Sequence, residues 1–263
     1  MTSITTPQVW SLSSGSKANC TLITTGNTNI LIDFGVSCRT ATTMLRSIGI
    51  ELSKIDAVFI THEHSDHIAG LETFFKKYDI PVHMTEPSIL AYSRGKGFPY
   101  RDRPIPHETA FSAVVGELVI TSLPVRHDSA ACVAYKVTGG GISLGICTDV
   151  GKPTDELLEF FSDCRDVITE CNHDVIMLKL GLYPEELKYR ILSDWGHTSN
   201  DDCAAFTVKL VQRGVQNIML AHVSPENNTP DLALYTVRQA LNAASLSPAS
   251  LVCAPRAELM RCV

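Results

Sequence analysis

Apolar residues along this chain come in short runs whose spacing shifts between strand-like and helix-like. QVWSLSS (8–14), NCTLITT (19–25) and TNILID (28–33) are brief, rich in β-branched residues and parted by Gly, Asn and Ser turns, which predicts successive strands. RTATTMLRSIGI (39–50) carries a helical pattern, and DAVFIT (56–61) reads as a buried strand. A helix is predicted from about residue 66 to KKYD (76–79), then a strand at PVHM (81–84). With three Pro, two Gly and four Arg or Lys, SRGKGFPYRDRPIPH (93–107) reads as a loop. The second half opens on strands again, ELVITSLPV (117–125), CVAYKV (132–137) and ISLGICTD (142–149). Helices and strands then alternate: TDELLEFF (154–161), DVITE (166–170), a helical stretch to about 192, and NDDCAAFTVKLVQRG (200–214). NIMLAHV (217–223), PDLALYTVRQALNAA (230–244) and SLVCA (250–254) complete the series.

Strands followed by helix–strand alternation thus occur twice, which predicts two β layers, each covered by helices on its outer face. No linker, low-complexity tract or short-period repeat interrupts the sequence. Residues 1–263 are therefore expected to form one α/β domain, a four-layer αββα sandwich.

Composition narrows the class. The 263 residues hold 22 Lys+Arg against 28 Asp+Glu, a net charge of −6, and 44% are hydrophobic. That is too apolar for a disordered chain and ample for a core. The acidic balance argues against coating nucleic acid through overall charge, and leaves room for a local or metal-built site. MTSITTPQVW has neither a basic start nor a long apolar run, so no secretory signal is expected. VTGGGISLGICT (137–148) is too short to span a bilayer. The nine cysteines are odd in number, never spaced CxxC, and mostly embedded in apolar runs such as LGICTD. They read as small core residues of a reduced, cytoplasmic protein, neither zinc ribbon nor redox dithiol.

The chemistry concentrates in Thr61-His62-Glu63-His64-Ser65-Asp66-His67. In an extended segment His62 and His64 project to the same side and can share one metal ion. Asp66 and His67 follow where the chain turns into a helix and can face a neighbouring ion. A polar loop that happens to be rich in histidine is the bland alternative, but such crowding after the buried run AVFIT is costly without a cation. Further donors stand near strand ends: His127 with Asp128 beside it, Asp149, and His222. Each alone also fits a turn or a helix cap. Together with the cluster they make seven nitrogen and oxygen ligands without a thiolate, which suits Zn²⁺, Mn²⁺ or Fe²⁺ and leaves positions open for water.

HxHxDH followed by a strand-end His, a strand-end Asp and a late strand-end His resembles the metallo-β-lactamase superfamily over essentially the whole chain. The resemblance implies His62, His64 and His127 on one ion, Asp66, His67 and His222 on the other, and Asp149 bridging them. It also implies that Asp33, in NILIDFG, braces the site from behind. SLSSGSKANCTLI, THEHSDHIAGL, GHTSNDD and LAHVSPENNTPDLA resemble the bacterial YycJ/WalJ-type members. For those, the resemblance implies a 5′ to 3′ exonuclease on duplex DNA, linked to DNA repair and using a metal-bridging hydroxide. One departure is visible: Cys171 stands in Glu170-Cys171-Asn172-His173 where a serine is expected.

His197, in GHTSN, resembles the extra histidine of tRNA 3′-end-processing nucleases. Asp66 and His197 are accordingly the expected catalytic side chains, orienting the nucleophile and serving the leaving oxygen. Thr198, Ser199 and Asn200 are also good caps for the helix starting near 201. Candidate substrate contacts are Ser14, Ser16 and Asn19, whose loop reads equally as a hairpin turn, together with Ser199 and Asn228. His173 is left between bracing the site and opening a helix, and His83 and His107 lack any ligand context. Arg94, Lys96, Arg101 and Arg103, interleaved with Phe98 and Tyr100, either grip a strand or form ordinary surface.

Three alternatives stay open beside a DNA exonuclease. They are an RNase Z-like hydrolase of RNA or of a small cyclic phosphodiester, a glyoxalase II-like thioesterase, and a module that uses metal only to fold. A thioesterase has no use for the GHTS histidine, and structural zinc sites are closed and thiolate-rich. The expectation is a hydrolase with two divalent ions, Zn²⁺ or Mn²⁺ before Fe²⁺. Its partner would be nucleic acid, DNA before RNA, with no membrane; the oligomeric state is open.

Overall fold

The structure, a computed structural model, describes residues 6–94 and 102–262. In chain order the first strands are β1 (Gln8–Ser13), β2 (Cys20–Thr24), β3 (Asn29–Ile32), β4 (Ala57–Phe59), β5 (Val82–Thr85), β6 (Pro104–His107) and β7 (Ser112–Val115). They are followed by β8 (Leu118–Val125), β9 (Cys132–Gly139), β10 (Ile142–Cys147), β11 (Asp166–Glu170), β12 (Asn217–Ala221), β13 (Ser250–Cys253) and β14 (Met260–Arg261). Among the described residues they form two seven-stranded sheets, ordered β14-β1-β2-β3-β4-β5-β6 and β13-β12-β11-β10-β9-β8-β7. Strands β3 to β6 run parallel, as do β10 to β13, so helices must carry the chain back between them. Helices α1 (Cys38–Ser47), α2 (Ser65–Ile68), α3 (Leu71–Lys77) and α4 (Glu86–Tyr92) serve the first sheet. The second is served by α5 (Asp155–Phe160), α6 (Val175–Leu180), α7 (Glu185–Leu192), α8 (Asn200–Gln212) and α9 (Pro230–Ala243). Among the described residues no helix is long and apolar enough to cross a membrane.

Alternation along the strands builds the layers. Ile30 and Ile32 of β3 face Val133, Tyr135 and Ile120 of the other sheet, while Leu31 between them joins the layer under α1 and α3. A third layer packs Val167 and Leu220 beneath Phe206, Leu210 and Val237 of α8 and α9. The four-layer αββα arrangement is therefore present. Between the sheets the buried Tyr135 hydroxyl donates to Ile60 O at 2.7 Å, the partner such a group needs in an apolar layer.

Several local expectations are corrected. Residues 104–107 are not loop: β6 pairs with β5 along Val82–Pro104 to Thr85–His107. It is the last strand of its sheet, so the N–H groups that Pro104 and Pro106 lack cost no ladder bond on the open side. The helix expected over 66–79 breaks into α2 and α3 at Gly70, where a Cβ would lie 2.1 Å from Val36 O. The helical stretch up to about 192 is likewise divided, into α6 and α7, and α4, β7 and β14 went unforeseen. Lys96, Phe98, Tyr100 and Arg101 lie outside the described residues. Arg103 is committed to Asp79 Oδ1 at 3.0 Å and to Tyr78 O at 3.0 Å.

Candidate metal centre

The topology delivers donors to one rim. β3 ends at Asp33, β4 at the Thr61–His67 segment, β8 at His127, β10 at Asp149, β11 at Glu170 and β12 at His222. Parallel strands present their carboxyl ends together, which is where α/β sheets place ligands. Three of these residues, Asp33, Asp149 and His222, have left-handed backbones with φ of 61, 57 and 54°. Left-handed non-glycine residues are sparsely populated and concentrate where the surrounding fold holds them for function.

Hydrogen bonds set which ring nitrogen each histidine presents. His67 Nδ1 donates to Asp33 Oδ2 at 2.8 Å, and Asp33 also accepts from Thr61 N at 2.8 Å. His222 Nδ1 lies 2.9 Å from Glu170 Oε1, and His127 Nδ1 lies 3.0 Å from Gly196 O. Each bond leaves Nε2 free for the rim. His67 Nε2 sits 3.0 Å from Asp149 Oδ2 and 3.2 Å from Asp66 Oδ2, and His222 Nε2 sits 3.4 Å from the same Asp66 oxygen. His64 turns Nδ1 toward His127 Nε2 at 3.2 Å, and the buried His62 Nε2 has no hydrogen-bond partner.

This donor set fits divalent cations. His62, His64 and His127 form one group, and Asp66, His67, Asp149 and His222 a second, with donor atoms within 4.8 Å of one another in each. An orphaned buried imidazole nitrogen inside the first is what a cation would satisfy.

Electrostatics point the same way. Burial opposes charge on His222, yet Asp149, Asp66 and Glu170 outweigh it and raise the ring to about 10. His67 is raised likewise against burial by Asp33 and Asp149. Burial alone would push Glu170 up, but His197 and His222 bring it down to about 2. In His62, burial and the neighbouring His67 depress the ring, so it offers a neutral nitrogen. Buried carboxylates and imidazoles thus hold one another charged at this rim, a balance that a bound cation would take over from the histidine protons.

His197 lies outside these two groups but forms a third with Asp149, Glu170 and His222. Its Nδ1 is 2.8 Å from Glu170 Oε1 and 3.6 Å from Asp149 Oδ1, and its ring stacks on His222 at 5.3 Å. Burial disfavours the imidazolium, but Glu170 more than compensates and raises it. Glu170 was missed by sequence reasoning. Besides the two histidines it accepts from Val150 N at 2.8 Å and Thr198 N at 3.1 Å. In sequence it shows as an acid that ends the apolar run DVITE and opens Glu170-Cys171-Asn172-His173.

The remaining candidates brace this arrangement. Ser14 Oγ accepts from His222 N at 2.8 Å, and Asn19 Nδ2 donates to Asp66 Oδ2 at 3.0 Å. Ser199 caps α8 by accepting from Asp202 N. The buried Asn228 amide donates to Cys171 O and Asn172 O at 3.1 Å each, while Asn172 Nδ2 donates to His222 O. Ser16 is exposed beside Ser14. His173 is buried in a bridge to Ser199, and His83 and His107 stack with Phe59 and Phe111 away from the donors. Asp128 pairs with Arg190.

Two mixed sheets covered by helices, with histidines and carboxylates gathered at one rim, define a class of hydrolase. The chain belongs to the metallo-β-lactamase superfamily, whose profile matches residues 14–140. Within it the chain resembles the exodeoxyribonuclease YycJ of Bacillus anthracis, 32% identical over 230 residues that cover 88% of this chain and 87% of the relative. Exodeoxyribonuclease WalJ of Streptococcus pneumoniae is 34% identical over 237 residues, covering 89% and 88%. In fold the chain is similar to the metallo-β-lactamase fold protein YhfI from Bacillus subtilis, with a TM-score of 0.71, 17% identity, and 97% and 99% of the two chains covered.

Proposed function

We propose that this chain is a two-ion phosphodiesterase that removes nucleotides from DNA ends, 5′ to 3′ on duplex DNA, in DNA repair. The observation that carries the reading is His197. Its Nδ1 is tied to Glu170 beside the donor set, which leaves Nε2 to serve a leaving oxygen. A carbonyl-directed hydrolase needs no such group, and the YycJ and WalJ relatives are named for DNA.

His62, His64 and His127 would hold one ion and Asp66, His67 and His222 the other, with Asp149 between them. When bound, Zn²⁺ or Mn²⁺ supplies charge to the phosphoryl oxygens and acidifies a water. The chain's own residues do the rest. Asp66 engages His67, His222 and Asn19 through Oδ2, which leaves Oδ1 to align the attacking water. The water gives up a proton to solvent, its oxygen bonds to phosphorus, the ester P–O bond breaks, and His197 gives its proton to the departing oxygen. Glu170 holds that ring in place before and after the transfer.

The test is a substrate panel on protein of measured metal content: 5′-labelled duplex DNA, single-stranded DNA, RNA, a cyclic nucleotide and a chromogenic diester. Stepwise loss of nucleotides from duplex DNA ends is expected. Preference for RNA or for the cyclic nucleotide would move the chain to another branch of phosphodiesterases, and cleavage of thioesters alone would overturn the reading.

A further inference from the structure

Beside the rim lies a cleft of about 310 Å³, a size suited to one small ligand. Its walls are fused to the donor set. Ser14 on one side receives the His222 amide, and Gly35 on the other packs so closely on Asp66 that a Cβ would lie 1.7 Å from Asp66 O. The lining has two characters. Val36, Met44, Val223 and Pro225 are apolar, whereas Lys17 and Arg256 bring positive charge. Among the described residues no carboxylate lines it, in a chain of net charge −6.

Those cations are available. Lys17 is exposed and, among the described residues, makes no ion pair. Among the described residues Arg256 is exposed and its side chain donates only to Ser224 O, at 3.3 Å. Both loops are held in place, since Ser13 Oγ lies 2.6 Å from Arg256 O and 2.9 Å from Ala18 O. A rigid slot with an apolar wall and two cations recognises a flat, apolar-faced group that carries a phosphate.

We propose that this cleft seats the terminal nucleotide of the strand being cut, with its phosphate on Lys17 and Arg256 and its base against Met44 and Val223. This rests on the phosphodiesterase reading above and deepens it. A slot for one nucleotide, joined directly to the reacting centre, makes the chain an enzyme of strand ends. The deoxynucleotide is the favoured occupant.

The experiment measures calorimetric binding of dAMP and AMP, neither of which is a diester, to the protein as purified, its metal content known. The variants are Lys17→Glu/Arg256→Glu and Met44→Trp, which reverses the charge and fills the slot respectively. Metal content and melting temperature of each should match the parent. Binding of dAMP should weaken at least about tenfold in both, as expected for loss of charge-assisted contacts or of space. KM for duplex DNA should rise with kcat less affected. Equal dAMP binding by the parent and both variants, or none by the parent, would overturn the proposal. Tighter binding of AMP than of dAMP would overturn the DNA assignment in favour of an RNA end. Failure of the parent to hydrolyse any diester would sink the phosphodiesterase reading, while the nucleotide titrations still decide the cleft.

Discussion

Glu170 restrains two histidines with one oxygen, His197 Nδ1 at 2.8 Å and His222 Nδ1 at 2.9 Å. Two variants separate the histidine that serves the leaving oxygen from those proposed to hold metal. His197→Ala should keep its metal while turnover falls about 10²- to 10⁴-fold, the range for losing a positioned acid. Asp33→Asn keeps a residue that tolerates the left-handed backbone but removes the charge behind His67. Metal affinity should fall about 10- to 100-fold, read by competition with a chelating dye. Protonation provides a third check. His222 is raised from 6.5 to about 10, so its contribution to stability is complete below about 6.5 and is lost as pH climbs toward 10. Protein stripped with a chelator should therefore melt at lower temperature step by step across that window. A flat profile would remove the charged His222. The seven candidate donors that the structure gathers at the rim were legible because HxHxDH is local and strand ends are recognisable by pattern. Glu170 was not, because its role is set by contacts with residues 20 to 52 positions away.

At the scale of elements, the rim depends on tight backbone approaches where strands give way to loops. Gly35 is the clearest, since any side chain there meets the carbonyl of Asp66. Gly35→Ala should cost about 1–3 kcal/mol or more by overpacking and should loosen α2, which carries Asp66 and His67. Denaturant unfolding together with a metal titration would show both; an unaltered protein would mean that the turn has slack. Elements built on strong periodicity, such as α8 and α9, were readable in advance. β6 was not, because prolines at alternate positions argue for loop unless the strand is known to lie at an edge. The break at Gly70 was equally hidden, being imposed by Phe34 and Val36 from a distant turn.

For the whole molecule, a chain of net charge −6 that acts on DNA as proposed would rely on bound ions and few cations. Binding to duplex DNA should weaken with a log–log salt slope of roughly −2 to −4, at about −0.9 per phosphate neutralised. A much steeper slope would require a basic surface beyond Lys17 and Arg256. The cleft itself was beyond sequence reading, since Ser13 and Arg256 meet across 243 positions. The division of donors between the sheets carries a mechanical consequence. His62, His64, Asp66 and His67 follow β4 of one sheet, while His127, Asp149 and His222 follow β8, β10 and β12 of the other. Each ion would then act as a rivet through both plates of the sandwich. Ions at 1,000 times their dissociation constant should add about 4 kcal/mol against unfolding. That gain should appear as slower amide exchange in β4 and β12 alike, so metal supply would govern how long the folded chain survives as well as whether it cuts.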